Sequence, residues 1–175
     1  MIASFIQGPV GRLLPVAILL LSLQTTVFAD VRPFGVVLQI LLAFSAAAGA
    51  AGGPERGMIA GFVLGLVFDL GTGAPLGSSS VTMGLAGMVA GSVAYLNIDV
   101  HWWLAAIFVA LGSSVGELAV PAVRYMVGQT NVFSDELFTI VPVVAVGAAL
   151  LSPLFVPMSR WCLRLGRAEW KVPTE

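Results

Sequence analysis

Long unbroken apolar blocks run along this chain, separated by short polar or glycine/proline interruptions. The blocks do not alternate with period two, and they lack the one-sided stripe of an amphipathic surface helix. That pattern predicts helices solvated by lipid. Six blocks stand out: Leu13–Ala29, Phe34–Gly53, Gly57–Leu70, Leu76–Leu96, Trp102–Tyr125 and Leu137–Pro157. "ADVRP" ends the first and "GGPERG" the second. The third is short, about 21 Å at the rise of an α-helix. The first block also carries the pattern of a secretory signal: Arg12, an apolar core, then "VFA" before Asp30. Between the fifth and sixth blocks, Ser134-Asp135-Glu136 reads as an N-cap followed by an acidic first turn. No period of 20–50 residues repeats. The fold class expected is all-α, a polytopic bundle of six transmembrane helices over residues 1–158, with a basic interfacial tail over 159–175.

Composition strengthens this reading. Of 175 residues, 58% are hydrophobic and only 10% charged, far too few charges to clothe a soluble domain of this length. The net charge of −1 gives no ground for nucleic-acid binding. An even number of spans puts both termini on one side. The ends and inner loops then hold Arg12, Arg56, Arg160, Arg164, Arg167 and Lys171, against Arg32 and Arg124 outside. That bias places both termini in the cytoplasm. Trp102, Trp103, Trp161 and Trp170 fall at the inner boundaries, where indole rings favour the interface.

Two features stand out inside the blocks. Gly57, Gly61, Gly65 and Asp69 are spaced by four, so they share a helix face. Gly84, Gly87 and Gly91 answer from the fourth block, and "SAAAGAAGG" ends the second. Faces without side-chain bulk let helix backbones approach closely, so blocks two, three and four are expected to form a tight core. An ionised Asp69 in hydrocarbon costs at least about 2.5–3.5 kcal/mol, so it must face protein or water. The adjacent "GTGAP" turn frees backbone amides that need acceptors. The acid is therefore expected to tie down the turn that ends the third helix.

Other polar groups carry weaker signals. Glu117 lies about 22 Å along the fifth block. Arg124, seven residues on, is placed either to pair with it or to share a polar wall, with Pro121 between them. Arg160, Arg164, Arg167 and Lys171 follow spacings of four, three and four, giving one basic face. That face reads either as a helix attracted to anionic lipids or as an ordinary positive-inside stop. One cysteine, Cys162, and one histidine, His101, fall short of the roughly four ligands of a zinc site. They read as a packing thiol and an interfacial imidazole, and no cofactor is implied.

The stretch "GFVLGLVFDLGTGAPLG", Gly61 to Gly77, resembles the signature of the rod shape-determining protein MreD family. That family shows a glycine-spaced helix, an Asp near its end, a small-residue/Pro turn, and Leu-Gly opening the next helix. Gly61, Gly65, Asp69, Gly73, Pro75, Leu76 and Gly77 match these features. The match covers about a tenth of the chain and continues loosely through "LAGMVAGSVAYL". Glu117 and the basic tail lie outside it. The resemblance implies a non-enzymatic component of the bacterial elongation machinery in the inner membrane. Its partner would be an MreC-type membrane protein and, through it, MreB filaments, a RodA-type glycosyltransferase and a class-B penicillin-binding transpeptidase. The family is also similar in shape to substrate-binding subunits of energy-coupling-factor vitamin transporters, so a solute-binding reading stands beside the scaffold reading. Against it, the first block lacks the spaced alanine pair that such subunits use to engage their energising partner. An intramembrane protease would want paired aspartates or a Ser/His set, and "GSSSV" at Gly77–Val81 reads instead as the start of the fourth helix.

Overall fold

A computed structural model describes residues 9–27, 35–96, 101–128 and 137–165. These residues are all-helical. The helices are α1 (Pro9–Thr26), α2 (Ile40–Gly52), α3 (Pro54–Thr72), α4 (Ser78–Gly91), α5 (Trp102–Met126) and α6 (Leu137–Cys162), with a 3₁₀ turn at Ser92–Leu96 extending α4. Three segments are long and apolar enough to cross a membrane: Ser78–Leu96, Trp102–Met126 and Leu137–Cys162. Helix α3 has the length, at 19 residues, but carries Glu55, Arg56 and Asp69.

The short α2 is the axis of the molecule. Every residue from Ile40 to Ala51 is buried. Helices α3, α4, α5 and α6 all pack on it, and α1 leans on its side. Phe44 of α2 meets Phe155 of α6 edge-on, with ring centroids 5.5 Å apart. A helix apolar on every side belongs at the centre of such a bundle, and 13 residues are too few to cross a bilayer alone.

The expected tight core of the second, third and fourth blocks is present, and glycines set its spacing. Gly49 of α2, Gly57 of α3 and Gly87 of α4 meet at one point. A Cβ on Gly49 would fall on the Gly87 carbonyl, one on Gly57 on the Gly49 Cα, and one on Gly87 on the Gly57 carbonyl. Further along α3, Gly61 lies against Met83 and Gly65 against Ser80, while Gly91 of α4 abuts Gly53 and Pro54. Gly84 is the exception. It is buried, but a Cβ there would find the Met58 carbonyl at 3.4 Å, an ordinary contact.

Several boundaries differ from expectation, among them the start of α2, at Ile40 and not near Phe34. The break between α2 and α3 is confined to Gly53. Helix α3 restarts at Pro54, which suits a first helical position because its missing N–H would have no partner there. Helix α3 is therefore about 28 Å long, not 21 Å. At the other terminus, α6 runs through residue 158 to Cys162. Arg160 thus stands in its last turn, and Arg164 (φ 55°) follows in the turn that ends it. Arg167 and Lys171 lie outside the described residues, as do Trp170, Arg32 and the Ser134-Asp135-Glu136 capping signal.

The helix order gives the bundle two distinct ends. Arg12, Arg56 and Arg160 occupy helix termini at one end, with Arg164 just beyond and the exposed Trp102, Trp103 and Trp161 beside them. Arg12 donates to the Trp161 carbonyl at 3.2 Å and lies 5.0 Å from the Trp161 ring centroid. The opposite end carries the α3–α4 turn, Gln39 and the last turn of α5 with Arg124.

Candidate functional site

The α3–α4 turn is built around Asp69. The backbone N–H of Gly77 donates to Asp69 Oδ2 at 2.8 Å, and that of Ser79 reaches both carboxylate oxygens at 3.2 Å. The Ser78 hydroxyl adds a longer contact to Oδ1 at 3.4 Å. Asp69 is only 1% exposed. Residue 77, at the N-cap of α4, is a glycine and offers no side chain, so the cap comes from the preceding helix instead. Gly73 (φ 70°) and Gly77 (φ 94°) take the left-handed backbone that bends the chain back across the five residues 73–77. Pro75 supplies the carbonyl that accepts from the Ser78 N–H at 3.1 Å. The carboxylate latch expected from the sequence is thus formed, but its donors are the amides of Gly77 and Ser79 and not those of "GTGAP".

A second helix start is capped the same way. Gln24 of α1 is buried, and its Oε1 accepts from the Leu41 N–H of α2 at 3.2 Å. Nothing in the spacing of α1 announced this. The signal available was a lone amide inside the block "LLLSLQTTVF".

Glu117 is buried on α5 with 6% exposure. Its direct partner is Gln39, whose Nε2 donates to Glu117 Oε2 at 2.8 Å. Of the two readings the sequence left open, a bond to Arg124 or a shared polar wall, the bond is not formed and Gln39 takes its place. Arg124 is exposed in the last turn of α5 and belongs to the polar wall that was the alternative reading. Sequence reasoning missed Gln39, which stands alone in "GVVLQILLAF" just before α2. It also missed Gly112 and Gly116, four apart on α5, which bring that helix against Ala86 and Ala90 of α4 and Leu42 of α2.

Between the latched turn and the end of α5 lies an open cleft of about 450 Å³. Thr72, Ser78, Ser79 and Thr82 present hydroxyls to it, Gln39 an amide and Arg124 a guanidinium. Phe68, Val120 and Val123 supply apolar wall. The volume falls within the range of small-molecule sites. A second hollow of about 430 Å³ lies near the other end between α3 and α4, with Met58, Met88 and Tyr95 on its walls and Glu55 beside them.

The remaining chemistry-bearing residues are dispersed. Cys162 is fully buried at the end of α6, whereas His101 is exposed at the N-cap of α5. Among the described residues, no three His, Cys, Asp or Glu side chains come together as a metal site. No protein-family model matches the chain, and no curated protein or solved structure matches it significantly.

Proposed function

We propose that this chain is a non-enzymatic membrane scaffold of the MreD kind, a six-span component of the bacterial cell-elongation complex. It resides in the inner membrane with both termini in the cytoplasm, and it binds an MreC-type membrane protein. One observation supports this most: the intramembrane carboxylate of Asp69 is committed to the backbone of its own turn, by bonds of 2.8–3.2 Å to Gly77 and Ser79. A group engaged in that way fixes shape, and the glycine contacts of α2, α3 and α4 fix it further. The result is a stiff surface on which a partner's helix docks without reordering the bundle. Arg12, Arg56, Arg160 and Arg164 gather at one end, which supports the cytoplasmic assignment of the termini. Through the MreC-type partner the scaffold reaches MreB filaments, a RodA-type glycosyltransferase and a class-B penicillin-binding transpeptidase.

Capture of the MreC-type partner in nanodiscs tests the reading. Asp69→Ala and Gly65→Leu should each lower capture and disturb cell shape. If both leave capture and shape at the wild-type level, the scaffold reading fails.

The polar cleft gives the solute-binding reading its own support, since a subunit of a vitamin-type transporter needs a hollow of that size and lining near one face. A small molecule retained at one equivalent by gently purified protein, identified by native mass spectrometry, would establish it.

A further inference from the structure

The cleft beside the latched turn has a lining whose hydrogen-bonding polarity specifies a ligand class. Among the described residues, two acids lie near it and neither is a wall residue. Asp69 faces the α4 amides and Glu117 stands behind Gln39. Among the described residues, the charged group on the wall is Arg124. An anionic group is therefore attracted to the rim, and guanidinium geometry suits phosphate in particular. The hydroxyls decide the rest. Thr72 donates to the Phe68 carbonyl at 2.8 Å, Thr82 to the Ser79 carbonyl at 3.1 Å, and Ser78 to Asp69 at 3.4 Å. Their protons are committed, so their oxygens meet the cleft as acceptors. Gln39 commits one N–H to Glu117 and keeps its amide oxygen and its second N–H, and the Ser79 hydroxyl keeps its proton. A bare anion would find one cation facing a wall in which acceptors outnumber free donors. A ligand that fits both halves carries a phosphate for Arg124 and O–H donors for the row behind it.

We propose that this cleft binds a polyol phosphate, as found in the headgroup of phosphatidylglycerol or in soluble glycerol 3-phosphate. This inference does not rest on the scaffold reading. Apolar wall at Val120 and Val123 adjoins the polar row, so a lipid can enter with its glycerol end inward and its chains along α5.

The test uses the full chain in phosphatidylcholine nanodiscs, with lipid retention read by native mass spectrometry and affinity by titration. One arm adds phosphatidylglycerol, a second phosphatidic acid, and a third soluble glycerol 3-phosphate. Phosphatidylglycerol should outbind both phosphatidylcholine and phosphatidic acid. Arg124→Gln should weaken it at least about tenfold, because a charge-assisted hydrogen bond is lost. Thr82→Val, which keeps the side-chain volume, should weaken it roughly threefold to tenfold while leaving phosphatidic acid unchanged. Tyr95→Phe, at the opposite end, should change binding less than about twofold. Binding of glycerol 3-phosphate with the same Arg124 dependence identifies a soluble ligand; its absence beside lipid binding identifies the headgroup. Three results each overturn the site: phosphatidylglycerol no tighter than phosphatidylcholine with no glycerol 3-phosphate binding, equal losses in Arg124→Gln and Tyr95→Phe, or phosphatidic acid binding as well as phosphatidylglycerol.

Discussion

At the scale of single residues, the bundle depends on side chains that complete a neighbouring helix. Asp69 satisfies the start of α4, and Gln24 the start of α2. With Asp69 removed, the Gly77 and Ser79 amides lose a charged acceptor in a setting that offers little water. Asp69→Ala should therefore cost roughly 2–3 kcal/mol, while Asp69→Asn, which keeps one acceptor oxygen, should cost about half as much. Unfolding titrations in mixed micelles can rank them, and equal stability of Ala and wild type would remove the latch from the account. The acid and its turn were legible in the sequence because carboxylate, glycines and proline sit within nine positions. Gln24 and Gln39 were not. An amide in an apolar block has no spacing rule, and its partner lies 17 or 78 residues away. For the same reason the Glu117 partner was not found: a cation seven residues along its own helix is visible in the chain, whereas an amide on another segment is not.

At the scale of helices, glycine spacing carried most of the packing information. The ladder on α3 and its counterpart on α4 showed which helices touch, since regular spacing survives translation into a face. It did not show which glycines are in backbone contact. Gly87→Ala would drive a methyl into the Gly57 carbonyl and should cost about 2–3 kcal/mol. Gly84→Ala should change stability by less than about 0.5 kcal/mol, because the space is there. Parallel melting of the two variants in one detergent checks this contrast, and matching losses would refute it. Helix limits were less legible. "GGPERG" contains every breaker signal, yet proline at a first turn starts a helix as readily as proline inside one stops it. Likewise Pro153 and Pro157 lie within α6, which continues past both.

At the scale of the whole molecule, the two ends differ in charge and in task. One gathers Arg12, Arg56 and Arg160, with Arg12 stacked on Trp161 to join the first helix to the last. Arg12→Ala should loosen that closure by about 1 kcal/mol, read as earlier proteolysis near the N-terminus. The other end opens as the cleft. Its orientation can be checked directly, because the sole cysteine, Cys162, is buried. In a Cys162→Ser background, Gly128→Cys should react with an impermeant maleimide added outside intact cells; labelling only after lysis would invert the topology. The six-helix count and the side on which positive charge collects were readable from block lengths and arginine positions. The burial of α2 was not, since its residues look like any other apolar block until five neighbours surround them. That burial has a consequence for biogenesis. A 13-residue helix lacks the span to leave the translocon as a stable solitary passenger. It should enter the bilayer as half of a hairpin with α3, folded at Gly53, and wait there until α6, the last to be synthesised, closes over it.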